Sequence, residues 1–64
     1  MSVHRMWTAK VGTQPYGPVI LDRRFALREG GRILFKGLRD GEKWQVACVD
    51  RINQAEKYLH LSLI

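Results

Sequence analysis

The sequence predicts an all-β fold, a small five-stranded meander or half-open barrel of SH3-like or OB-like type. Three observations predict it. Turn signals built on glycine recur at intervals of roughly ten residues, the spacing of small sandwiches and barrels. Between them apolar and polar residues alternate, as they do along a strand with one buried face. The chain has 64 residues, enough for one domain that buries only about 60% of its unfolded surface. A sheet that small gains from closing on itself, because closure removes the unpaired edges on which aggregation starts.

The elements follow in order. In the first segment Val3, Trp7, Ala9 and Val11 share a face, with Arg5 as the exception. Gly12 and the cluster Gln14-Pro15-Tyr16-Gly17-Pro18 then read as turn, since glycine reaches positive φ without a Cβ clash and proline fixes φ. Phe25 to Glu29 and Arg32 to Lys36 read as two strands joined by a Gly30-Gly31 hairpin turn. The stretch Ile33 to Leu38 is apolar on both faces, as a central, doubly covered strand would be. Asp40-Gly41 is the second hairpin signal, for a type I′ turn with positive φ at both central positions. In the strand that follows, from Lys43 to Arg51, Trp44, Val46 and Cys48 are assigned to the core and Lys43, Gln45 and Arg51 to the outside.

The tail has two readings. Ile52, Ala55, Leu59 and Leu63 fit an amphipathic helix that Asp50 could cap. Leu59, Leu61 and Leu63 also alternate with Tyr58, His60 and Ser62, which fits a strand. The period-two stripe favours a turn over Asn53 to Lys57 and a strand from Tyr58, with a short C-terminal helix as the alternative.

Composition narrows the function classes. The chain is 45% hydrophobic and 27% charged, unlike a disordered segment, which pairs low hydrophobicity with high net charge. Its one cysteine, Cys48, forms no disulfide within the chain and fits a reducing compartment. Met1 to Lys10 lack the apolar run of a secretory signal, and no stretch approaches the ~18 apolar residues of a membrane span. The expectation is a single cytoplasmic domain over residues 1–64, away from membranes. Paired carboxylates, a phosphate loop and metal-ligand spacing are all missing. His4, His60 and Cys48 make no evident catalytic set, so a non-enzymatic protein without cofactor or metal is expected.

Charge is the strongest functional signal. The net charge is +5, from eleven Lys and Arg against six Asp and Glu. Arg23, Arg24, Arg28, Arg32, Lys36 and Arg39 fall in one stretch, opposed only by Asp22 and Glu29. In strand phase Arg24, Ala26 and Arg28 share a face, and Arg32 and Lys36 lie opposite Ile33 and Phe35, so the hairpin would gather them into one patch. An arginine fork suits phosphate because it offers two donors at once. Trp7, Phe25 and Trp44 read as core. Tyr16, in the proline-flanked segment, is the candidate aromatic contact, or else a plug over the barrel end.

Arg24-Phe25-Ala26-Leu27-Arg28, preceded by Arg23, resembles the RxxxR element of PilZ cyclic-di-GMP receptors, whose arginines clamp phosphate groups. The family's second element, Asp/Asn-x-Ser-x-x-Gly, has no counterpart after Arg28; Asp50-Arg51-Ile52 departs from it at the Ser and Gly. What the resemblance implies is an anionic nucleotide as a ligand to test.

These readings leave three functional classes. The first is a binding module whose basic face, with Tyr16, contacts the backbone of RNA or DNA. The second is a small protein-binding regulator or inhibitor, of phage type and dimeric, acting on an acidic protein surface. The third is a receptor for an anionic nucleotide. The apolar run Tyr58 to Ile64 is the candidate homodimer strand, unless it closes the barrel of its own chain.

Overall fold

The computed structural model describes residues 5–64, so the expectations for Val3 and His4 lie outside the described residues. Five strands form: β1 Arg5–Val11, β2 Gln14–Leu21, β3 Arg32–Gly37, β4 Gln45–Asn53 and β5 Tyr58–Leu63. Each pairs antiparallel with the next, and β1 pairs with β5 to close the barrel. That closing pair is parallel, with Ala9 opposite Leu59 and Val11 opposite Leu61. The direction follows from the count: in a meander of five strands the first and last run the same way. Every strand neighbours its successor in sequence, which is meander order and not the Greek-key order of an OB barrel.

The core is built evenly. Trp7 and Ala9 come from β1, Val19 and Leu21 from β2, Ile33 and Phe35 from β3, Ala47 and Val49 from β4, and Leu59 and Leu61 from β5. Each pair is spaced i, i+2, so five strands each turn one face inward. Small Ala9 and Ala47 leave room for the Phe35 ring, which is fully buried. Interior positions of small barrels mix large and small residues to fill the taper in this way.

The tail is strand, as the leucine stripe predicts, with a turn over 54–57 before it. It closes the barrel of its own chain by pairing with both β4 and β1. The expected phase of β4 is inverted. Ala47 and Val49 are buried, whereas Trp44 and Val46 are exposed and Cys48 is half-buried. Both alternating sets of this strand are apolar, so its pattern alone does not choose between faces. Volume chooses: small Ala47, opposite Ile33 in the ladder, fits a barrel already filled by Phe35.

Gly12 turns the chain as expected, but the assignment of Gln14 to Pro18 changes. The first hairpin turns at Gly12-Thr13, since Val11 pairs with Gln14. Gln14 to Pro18 belong to β2, where Ala9 faces Gly17 and Lys10 faces Pro15, leaving Tyr16 as a bulged residue. Strand β3 pairs with β2 only from Val19 onward. The prolines at 15 and 18 therefore lie where β2 is an edge beside a bulge, the place a sheet tolerates them.

The expected strand Phe25 to Glu29 does not form. Residues 22–31 make a ten-residue connection between β2 and β3. Asp22 ends β2: its Oδ1 accepts the Arg24 N–H at 2.9 Å, and its carbonyl accepts the Phe25 N–H at 3.1 Å. Such side-chain-to-backbone bonds turn the chain out of a ladder. Gly30-Gly31 is a turn, but it leads from this connection into β3. The Gly31 N–H bonds to the Arg28 carbonyl at 3.1 Å, and Gly30 has φ +80°, the type II requirement. Gly30 and Gly31 then exchange hydrogen bonds of 2.8 Å with Val49, a glycine-led bulge opposite one residue of β4. At the second signal only Gly41, not Asp40, has positive φ. That turn closes Arg39 to Glu42 as type II in place of I′.

Candidate nucleic-acid interface

Because the connection 22–31 and the far half of β4 meet through Gly30, Gly31 and Val49, they carry their cations to one end of the barrel. Arg23, Arg24 and Arg28 lie in the connection, Arg32 opens β3, and Arg51 follows the bulge of β4 at Asp50. All five are exposed. Glu29 fastens the connection down by accepting the Ile52 N–H at 3.0 Å. Leu27 packs against the core from the same segment.

Lys36 and Arg39, expected in the same patch, are not in it. Lys36 stands near the other end of β3, its Nζ 5.4 Å from the centre of the Trp44 ring. Arg39 belongs to the β3–β4 loop, where its Nη2 donates to the Tyr16 carbonyl at 3.3 Å. The Arg24–Ala26–Arg28 face also disappears, because no strand forms there. The patch survives as an irregular arginine-rich end, with Lys36 and Arg39 at the opposite end. Arg51, read as an ordinary outward residue, joins the patch. Only the pairing of the connection with β4 reveals it.

Tyr16 is half-buried. Its hydroxyl donates to Glu42 and accepts from Gln45 Nε2 at 3.3 Å, and its ring meets Phe35 edge-on at 5.6 Å between centres. The hydrogen bond to Glu42, with burial second, raises its pKa above the ordinary tyrosine value. Of the two expectations for Tyr16, the plug over the barrel end describes this arrangement.

The acidic side chains are almost all engaged inside the fold. Asp22 grips Arg24 through Nε at 3.0 Å and Nη2 at 2.7 Å, and that bond raises the Arg24 pKa further. Glu29 accepts from Ile52, Glu42 from Tyr16, Asp50 from Ser62 and Glu56 from the Asn53 side-chain amide, whose oxygen in turn accepts the Glu56 backbone N–H. Among the described residues Arg24–Asp22 is the only salt bridge. Among the described residues Arg23, Arg28, Arg32 and Arg51 therefore form no salt bridge, and all four are exposed to solvent.

Beside them lies a depression of about 190 Å³ lined by Leu21, Asp22, Arg23, Phe25, Ala26 and Leu27. Phe25, expected in the core, is 40% exposed there, as is Trp44 at the other end. Among the described residues no group of three His, Cys, Asp or Glu is placed to hold a metal ion. No protein family, characterised protein or solved structure matches the chain.

Proposed function

We propose that this protein is a non-enzymatic module that binds the backbone of RNA or DNA through the arginine-rich end of its barrel. The observation that carries the reading is the imbalance of partners. Among the described residues five carboxylates are engaged within the fold, while Arg23, Arg28, Arg32 and Arg51 form no salt bridge. Free guanidinium groups on one end of a small barrel attract a polyanion, and their fork geometry suits phosphate oxygens. Binding then proceeds by release of counterions.

The test is the salt dependence of binding to generic oligonucleotides. With four phosphate contacts on a single strand, affinity should fall roughly 50-fold between about 50 and about 200 mM salt. Reversing Arg23 and Arg28 to glutamate should flatten that slope. No binding of any nucleic acid at low salt rejects the reading.

A second reading has its own support. On the outer face Met6 pairs with Ile20 and Leu34 with Val46, and Met6, Val46 and Trp44 are exposed. An acidic protein with apolar side chains would complement that face and its Lys36. Capture of a partner that survives nuclease treatment, and that Val46→Asp abolishes, would favour it.

A further inference from the structure

The arginine-rich end also holds an aromatic side chain that the fold keeps out of its core. We infer that Phe25 and the depression beside it form a stacking site for one unpaired base, so that the ligand is single-stranded nucleic acid. The inference rests on the nucleic-acid reading and adds a base contact to its phosphate contacts.

Three features lead there. First, local hydrogen bonds fix the backbone on both sides of Phe25, which is 40% exposed. Its N–H is tied to the Asp22 carbonyl, the preceding residue is clamped at both backbone and guanidinium by Asp22, and the far end of the connection is fixed by the Gly30 turn and Glu29. A loose loop would fold its phenyl ring inward to escape water. Here Leu27 occupies the place against the core, and Phe25 remains at the surface. Second, the depression combines the groups a nucleotide requires. Leu21 is nearly buried and gives an apolar floor, Phe25 gives an aromatic wall, and Arg23 gives a cation that forms no salt bridge among the described residues. The one acid in the lining, Asp22, is already bonded to Arg24. Third, the size fits one flat ring. Pockets that enclose whole small molecules run from about 300 to 1,000 Å³, and this one holds about 190 Å³.

Single-strand binders combine these parts: cations that follow the backbone and aromatics on which bases stack. A base inside a duplex is already stacked on both faces and cannot reach Phe25. Single strands should therefore bind better than the same sequence as duplex.

The experiment compares four proteins, the native chain, Phe25→Ala, Phe25→Trp and the double variant Arg23→Glu/Arg28→Glu, on one oligonucleotide in single-stranded and duplex form. The readout is fluorescence anisotropy. Phe25→Ala should lose about 5- to 150-fold on the single strand, the range for deleting one stacking contact, and almost nothing on the duplex. Phe25→Trp should retain or improve single-strand affinity, and it keeps the test valid if the alanine variant folds poorly. Unchanged single-strand affinity in Phe25→Ala, with a loss in the double arginine variant, overturns the stacking site and leaves the phosphate reading standing. A native chain that binds neither form removes both.

Discussion

The Tyr16 hydroxyl donates a hydrogen bond to Glu42 across 26 positions of sequence, and Gly37 makes the contact sterically possible. A Cβ on Gly37 would lie 2.7 Å from Glu42 Oε1 and 3.1 Å from its Cγ and Cδ. Gly37 is buried at the end of β3, where β3 meets β2 at Val19. The Glu42 side chain passes over the missing side chain to reach Tyr16. This contact ties the β3–β4 loop to the edge segment of β2, which has no strand partner on that side.

Gly37→Ala should therefore act on Tyr16 through Glu42. The expected loss is about 1 kcal/mol, because the flexible Glu42 side chain can move aside and what it forfeits is its hydrogen bond to Tyr16. Tyr16→Phe should cost about 1 kcal/mol, since the site is only half-buried. Because both act on one contact, the double variant should lose less than the sum, as measured by urea unfolding. Strict additivity would mean that the glycine serves some other purpose.

The Tyr16 pKa is raised, first by its bond to Glu42 and then by burial. The folded state thus holds the phenol proton more tightly than the unfolded chain, whose tyrosine ionises near 10.0. The stabilisation is complete below that pH and is lost as pH rises through the folded pKa. A titration followed by phenolate absorbance should show a group ionising above the ordinary tyrosine range, and Tyr16→Phe should remove it.

Strand β4 offers a test of which face is buried. Val49 is 1% exposed and Val46 43%, so one truncation can be made on both faces. Val49→Ala should cost about 2 kcal/mol, through lost burial and a residual cavity. Val46→Ala should stay within about 0.5 kcal/mol. Equal losses in thermal melts would contradict the phase described here.

Gly30 sits at φ +80° with nothing within 4 Å of where its Cβ would be. A side chain there would meet a conformational penalty and no clash. Gly30→Ala should destabilise by about 1–2 kcal/mol, and Gly30→Asn by less, because asparagine tolerates the left-handed region better. The order of the two melting temperatures checks this, and the reverse order would mean that the turn relaxes to another type.

Alternation and glycine placement by themselves determined much of this protein. The all-β class, the turns at Gly12 and Gly41, the strand from Tyr58 and the core role of Trp7, Ala9, Leu59 and Leu61 are legible because one strand face is clearly more apolar than the other. Tertiary structure decided three things. It chose the face of β4, where both alternating sets are apolar and only the volume left by Phe35 favours Ala47. It turned Phe25 to Glu29 from strand into connection, because Asp22 bonds its own following backbone and β2 already pairs with β3. It also decided the site. A run of basic residues shows that positive charge is present, but not which carboxylates the fold uses elsewhere. Among the described residues Asp22 is taken by Arg24 while Glu29 and Asp50 bond to Ile52 and Ser62, which leaves four arginines at one end of the barrel without a salt bridge.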